Sequence, residues 1–205
     1  MEKFTTLSAI AAPEMVANVN TDVIIRIERL IRLERDKLGP YAFEAWRFKP
    51  DGTPNPDFVL NQPRWSGAKI LVCGDNFGCG SSREGAVWAL AGMGIRAVIG
   101  SSFGDIFFNN CFQNGVLPVV LSPDSVAQLA REVKASANGA PTTIDLEAQE
   151  IVGPSGARYA FAVDPTRRRA LLEGLDDIGV TLTRAAEIER FQATDRAARP
   201  WIYPS

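Results

Sequence analysis

The chain has no histidine, only three cysteines, and no apolar run that approaches the about 18 residues of a membrane span. Without histidine a Ser-His-Asp arrangement cannot be assembled within this polypeptide, so any proton-transfer partner is another kind of group or belongs to another chain. An odd cysteine count with no Cys-x-x-Cys spacing excludes a disulfide framework. Positive charge is not in excess either: 22 Lys and Arg stand against 24 Asp and Glu, a formal net charge of −2, which argues against nucleic acid as the main partner. The start, MEKFTTLSAIAAPEM, carries a lysine but no extended apolar core or cleavage site. It reads as mature sequence, and a cytoplasmic home is expected.

What is present is enough for one α/β domain with a sizeable core: 205 residues, 46% of them hydrophobic. The most informative stretch is GDNFGCGSSREGAVW, residues 74–88. Ala68 to Cys73 before it is a short apolar run that suits a buried strand, and Arg83 to Met93 after it puts Ala86, Leu90 and Met93 on one helical stripe. The stretch is therefore a strand-to-helix turn. Gly74, Gly78 and Gly80 permit positive φ and close backbone approach, while Ser81 or Ser82 is placed to cap the helix and leave its first N–H groups facing outward. No Gly-Lys-Ser/Thr follows, and the glycine spacing does not fit the dinucleotide fingerprint. Two readings stand: a serine-capped tight turn, or an anion site at a helix N-terminus. A hydroxyl beside a guanidinium favours carboxylate chemistry, since the serine offers a proton acceptor once deprotonated and the arginine a two-pronged donor.

The rest of the chain alternates. Strands are expected at 4–12 and 22–25, a helix at 27–37, then a long Pro/Gly/Asn-rich segment, FKPDGTPNPDFVLNQP. Loops of that length are often functional or cover a surface that a partner completes. Beyond the glycine turn come a strand at 96–99, a helix at 103–114, a strand at 116–121 and a helix at 123–137, which together predict a parallel αβ core. Short strands follow at 142–146, 150–152 and 158–163, and helices at 165–173 and 183–198. Cys73 falls in the expected buried strand and Cys111 in an apolar helix, so both read as structural thiols; Cys79 sits in the glycine turn and lines the candidate site.

NVNTDVII at 18–25, NPDFVLN at 55–61, NFGCGSSRE at 76–84, SFGDIFFNNCFQNGVLPV at 102–119 and GLDDIGVTL at 174–182 occur in this order over nearly the whole chain. Together they resemble the small subunits of 3-isopropylmalate dehydratase, in the aconitase superfamily. The resemblance implies a swivelling β/β/α domain, here residues 1–182, with a C-terminal helical tail at 183–205. It implies a hydro-lyase that interconverts 2- and 3-isopropylmalate in leucine biosynthesis. It also implies a separate large subunit that carries a [4Fe-4S] cluster on three cysteines and supplies the site's histidines, with no cofactor or metal held by this chain. An open iron there would act as Lewis acid on the hydroxyl of a small dicarboxylic acid.

By the same resemblance Ser81 is the catalytic base that removes the proton next to a carboxylate, Ser82 and Arg83 hold a substrate carboxylate, and Thr21 and Asp22 stand at the site's edge. The sequence departs from the family at two places. Gly85 stands where the family usually has a histidine, which costs helix propensity and removes a ring from near the site. Arg26, Ile27, Glu28, Arg29 and Leu30 replace a run that usually begins with proline and lysine, in the loop that helps choose the substrate's side group. Leu30 keeps an apolar contact suited to an isopropyl group. Arg26 and Arg29 either favour a smaller or more acidic diacid of the citraconate, maleate or methylmalate kind, or form a solvated helix face. A free-standing anion-binding domain without catalysis is the reading of another class.

Overall fold

The computed structural model describes residues 1–80, 83–136 and 140–203. In chain order the regular elements are β1 (Thr6–Ala9), β2 (Ala11–Glu14), α1 (Thr21–Ile24), α2 (Ile27–Arg32), α3 (Glu44–Arg47), β3 (Ile70–Cys73), α4 (Glu84–Gly92), β4 (Ala97–Gly100), α5 (Asp105–Gln113), β5 (Leu117–Val120) and α6 (Pro123–Ala135). They continue with β6 (Thr142–Asp145), β7 (Glu150–Val152), β8 (Arg158–Ala160), α7 (Pro165–Glu173), α8 (Asp177–Leu182) and α9 (Ala185–Ala198).

Among the described residues the strands form two four-stranded sheets. The first, in the order β2-β3-β4-β5, is parallel throughout, with Ala11 opposite Ile70, Ile70 opposite Ala97 and Ala97 opposite Leu117. Every residue of β2, β3 and β4 is buried, as a parallel sheet covered on both faces requires. Helices α4 and α5 fill the crossovers, and α6 lies across β2, β3 and β4. The second sheet, β1-β6-β7-β8, is antiparallel; β1 is alternately half-buried and exposed, so only one of its faces is covered. Tyr159 on β8 ties this sheet to α6, its phenol donating to Glu132 Oε1 at 2.6 Å.

The expected parallel αβ core is present, and three expectations upstream of it need correction. Residues 4–12 are not one strand: the chain changes sheets at Ile10, whose carbonyl accepts from the N–H groups of Lys69 (3.1 Å) and Ile70 (3.4 Å). Residues 22–25 are not a strand but lie on a single helical turn and its cap. Asn20 caps it through Oδ1, which accepts from the Val23 N–H at 2.9 Å, and this cap outweighs the β-branched bias of Val-Ile-Ile. The expected helix at 27–37 stops at Arg32. None of α2 is fully buried and Arg26 makes no side-chain cap, so α2 has neither a buried face nor a cap to extend it. Leu33 turns extended, and a 3₁₀ turn follows at Arg35–Lys37.

The later elements match more closely. The helix expected at 123–137 ends at Ala135, and Ala137 lies outside the described residues. Helix α8 was not anticipated; Asp176 caps it, with Oδ1 accepting from the Gly179 N–H at 2.7 Å. Neither α8 nor α9 buries a residue, and Ile178, Leu182, Phe191 and Trp201 stand exposed along this end of the chain. No described helix is long and apolar enough to cross a membrane.

Candidate active site

Three loops leave the carboxyl ends of β2, β3 and β4, the end of a parallel sheet where ligands bind. Main-chain bonds stitch them together. Asn18 N–H donates to Asp75 O (2.8 Å), Gly78 N–H to Val19 O (2.7 Å) and Thr21 N–H to Cys79 O (3.0 Å), so the NVNTD segment is zipped along the glycine turn. On the other side Phe77 N–H donates to Ser102 O (3.2 Å) and Gly104 N–H to Phe77 O (3.0 Å). Side chains repeat the pattern: Asn76 Nδ2 donates to Asn18 Oδ1 and the Asn76 N–H to Ser102 Oγ, both at 2.8 Å. These Asn and Ser contacts were not read from the sequence, where each of these residues looks like ordinary turn chemistry.

Two glycines have specific reasons. Gly78 adopts φ +71°, and a Cβ there would enter the ring of Phe107; Gly80 adopts φ +92°, facing Asn20 and Thr21. Beneath the turn, Phe77 is fully buried, its ring packed edge-on to Phe107 at 5.5 Å between centroids. The turn is thus anchored by an aromatic cluster while its polar face stays outward.

The described chain resumes at Arg83, in the N-cap position of α4. Arg83 makes no side-chain cap bond; its guanidinium instead donates through Nη1 to Asp22 Oδ1, joining the helix start to α1. Their side chains remain 25% and 55% exposed, so the pair faces open space. Thr21 is buried beside it. Ser81 and Ser82 lie outside the described residues; the cap position itself belongs to Arg83, not to a serine.

The departures from the family become physical here. A Cβ on Gly85 would collide with Leu30 Cδ2 and stand 3.0 Å from Cδ1, so Leu30 fills the space that a side chain at 85 would need. Arg29 donates through Nε and Nη2 to Glu44 Oε2 (2.9 Å) and Oε1 (2.5 Å), with its guanidinium 4.1 Å above the Tyr41 ring. That bond raises the Arg29 guanidinium above its ordinary range and holds the Glu44 carboxyl below its own. Arg26 pairs loosely with Glu28 at 3.6 Å, both well exposed, and Ile27 is exposed too.

One residue that sequence reasoning missed gathers several of these parts. Asn114, at the end of α5, accepts through Oδ1 from Arg35 Nη2 (2.6 Å) and Trp88 Nε1 (3.0 Å), and donates through Nδ2 to Glu84 Oε1 (2.8 Å). Followed by Gly115, it has the sequence signature of a helix end and nothing more.

The chain's own thiols do not suit an iron-sulfur cluster. Cys73 and Cys111 are fully buried, one in the central sheet and one in α5, and burial pushes both thiols well above their ordinary range. Cys79 is half-buried in the turn. Among the described residues no three His, Cys, Asp or Glu side chains are grouped to hold a metal ion.

Residues 1–124 match the aconitase C-terminal domain and residues 127–165 match LeuD_N. Residues 177–205 match the C-terminal domain of the 3-isopropylmalate dehydratase small subunit. The 3-isopropylmalate dehydratase small subunit of Azorhizobium caulinodans is 54% identical over 202 residues, 98% of this chain and 100% of that one. The chain belongs to the 3-isopropylmalate dehydratase small-subunit family. Another family member, from Agrobacterium fabrum, is 52% identical over 201 residues, again 98% of this chain and all of its own. A solved structure of a 3-isopropylmalate dehydratase from Methanocaldococcus jannaschii superimposes with a TM-score of 0.66 at 25% identity, covering 90% of this chain and 98% of that one. The expected fold class, an α/β domain of the aconitase C-terminal kind, is borne out with its parallel and antiparallel sheets. Membership in this small-subunit family also implies a large-subunit partner.

Proposed function

We propose that this chain is the small subunit of a 3-isopropylmalate dehydratase and supplies the serine-arginine half of its site. The observation that carries the reading is Arg83: it opens α4 at the carboxyl end of the parallel sheet, is fixed by Asp22, and stays partly exposed beside the glycine turn. A guanidinium at a helix N-terminus binds a carboxylate through both charge and donor geometry, helped by the first N–H groups of α4. Ser81, two residues before it in sequence, removes the proton from the carbon next to that carboxylate; Arg83 and Ser82 take up the charge that develops. The C–H electron pair becomes the double bond as the hydroxyl departs, and the reverse steps re-add water at the neighbouring carbon. Asp22 holds Arg83 in place, with Thr21 beside it at the site's edge. Leu30 meets the apolar side group.

Activation of the departing hydroxyl is assigned to the large subunit, which we take to carry the [4Fe-4S] cluster and the histidines that this chain lacks. The exposed Arg83–Asp22 pair supports a site completed by another chain. The pairing of Arg29 with Glu44 supports an apolar side group over an acidic one, because this arginine's charge is already met. We place the boundary between the domain and its helical tail at 182/183, and the enzyme in the cytoplasm.

The test is the reconstituted pair assayed on 2-isopropylmalate and on citraconate, maleate and methylmalate. Ser81→Ala should lower turnover by on the order of 10²–10⁴-fold with substrate affinity nearly unchanged. Near-normal turnover in that variant would refute the base; a loss of affinity alone would favour a site that only binds. Preference of the unmodified pair for a diacid without the isopropyl group would assign the chain to a paralogous hydro-lyase.

A further inference from the structure

We infer that Gly85 is a specificity-setting position, acting through Leu30, and that Asn114 holds the same segment in register; this rests on the functional reading above. Leu30 is an apolar side chain packed on the first turn of the helix that Arg83 opens, so it adjoins whatever substituent an Arg83-held carboxylate carries. Its position is set by contacts along α4. Gly85, Trp88 and Gly92 are spaced i, i+3 and i+7, which places them on one helix face. The segment that follows Leu30 runs along that face: Leu30 lies on Gly85, the Arg35 guanidinium lies 5.2 Å from the centre of the Trp88 ring, and Gly39 meets the Gly92 backbone so closely that neither tolerates a Cβ without a shift.

Asn114 closes the arrangement, since it joins Arg35 to Trp88 and to Glu84, the residue next to Arg83. Leu30 and the anchoring arginine are therefore referred to the same helix turn. Because the atoms that a Cβ at 85 would strike are the far end of the Leu30 side chain, a methyl group there displaces Leu30 and leaves the backbone in place. Gly85 is then a positioning residue, small so that Leu30 can seat.

The experiment is a double-mutant cycle in the reconstituted pair, with Gly85→Ala, Leu30→Ala and both together, read as kcat/KM for 2-isopropylmalate relative to 2-methylmalate. Either single substitution should lower that ratio on the order of 10-fold, the scale of a methyl-sized mismatch in an apolar pocket, mostly in KM. The double variant should be no worse than Leu30→Ala alone. Asn114→Ala should move the same ratio in the same direction with kcat retained. Thermal melts of this chain alone give an independent readout: Gly85→Ala should raise the midpoint when residue 30 is alanine, through helix propensity, and fail to raise it when Leu30 is present. Additive effects, or a ratio that Gly85→Ala leaves unmoved, would overturn the inference while the functional reading stands. A wild-type pair that ignores isopropylmalate would overturn both.

Discussion

Replacement of Arg83 separates its ligand role from any structural one, because the structure sets very different magnitudes for the two. The Arg83–Asp22 pair is solvent-facing, with side chains 25% and 55% exposed, and a pair of that kind contributes about 0–1 kcal/mol to stability. Arg83 occupies the N-cap position of α4 without making a side-chain cap bond, so the helix start does not depend on its guanidinium. Folding should therefore tolerate Arg83→Lys and Arg83→Met with losses of at most about 1 kcal/mol. A charge-assisted, two-pronged bond to a carboxylate contributes more, about 1.5–3 kcal/mol, which is roughly 10- to 150-fold in affinity. Lysine keeps the charge and loses the fork, so Arg83→Lys should sit near the lower end of that range. Methionine loses both and should sit near the upper end.

The assay is steady-state kinetics of the reconstituted pair on 2-isopropylmalate, with urea unfolding of the isolated chain in parallel. KM should rise in the order wild type, Lys, Met, and kcat should fall as well, since in the proposed mechanism the same arginine faces charge that builds during proton removal. Two results would refute the reasoning: an unchanged KM in Arg83→Met, or a stability loss above about 2 kcal/mol, which would make Arg83 a strut between α1 and α4.

Other perturbations test other parts of the molecule. Glu14, at the end of β2, is 6% exposed, and burial pushes its carboxyl above the ordinary range against the opposing pull of the Val16 N–H and Lys134. Since the folded state favours the protonated form, stability is fullest below about pH 4.5, the ordinary glutamate value, and declines as pH rises through the raised one; Glu14→Gln should raise the melting midpoint at pH 7–8 and give no gain at pH 4. An equal effect at both pH values would count against it. Tyr159→Phe removes the donor that links β8 to α6 and should cost about 1–3 kcal/mol in urea unfolding; a neutral substitution would mean the Glu132 bond contributes nothing net. Anaerobic incubation of the isolated chain with iron and sulfide should give no cluster absorbance, and a band abolished only by joint substitution of Cys73, Cys79 and Cys111 would sink the two-subunit assignment. Amide exchange in residues 18–37 and 49–63 should slow when the large subunit is added, and unchanged exchange in both segments would place the partner elsewhere.

The parallel core was legible because its inner strands bury every residue and so appear as uninterrupted apolar runs, ILVC in β3 and AVIG in β4, separated by helices of ordinary length. The same logic misled at the N-terminus. FTTLSAIAA is a continuous strand-like run, yet Ile10 is where the chain passes from one sheet to the other, and local pattern carries no record of which sheet a residue joins. In TDVII the β-branched residues suggested a strand, and the deciding feature was one residue upstream: a single side-chain bond from Asn20 turns the segment into a helix. At 27–37 the periodicity was helical throughout, but the second half is drawn to α4 by Arg35, and a tertiary contact with Trp88 and Asn114 overrides local propensity.

At the candidate site, sequence reasoning singled out the proposed reagents and missed the frame. A hydroxyl next to a guanidinium after a buried strand is a local pattern, so Arg83 and its neighbours stand out. What holds Arg83 is non-local: Asp22 lies 61 residues away, and Asn114 lies 30 residues from Glu84. No spacing rule links such positions, because their proximity follows from three loops meeting at one end of a sheet. The two departures at Gly85 and Leu30 show the same thing more sharply. Taken separately, one looks like a weakened helix turn and the other like a retained apolar residue. In the fold each explains the other, since the space that Gly85 vacates is the space that Leu30 fills. Substitutions in this segment should accordingly be made in pairs: a side chain restored at 85 while Leu30 is kept will report the displacement of Leu30 and not the contribution of the new group.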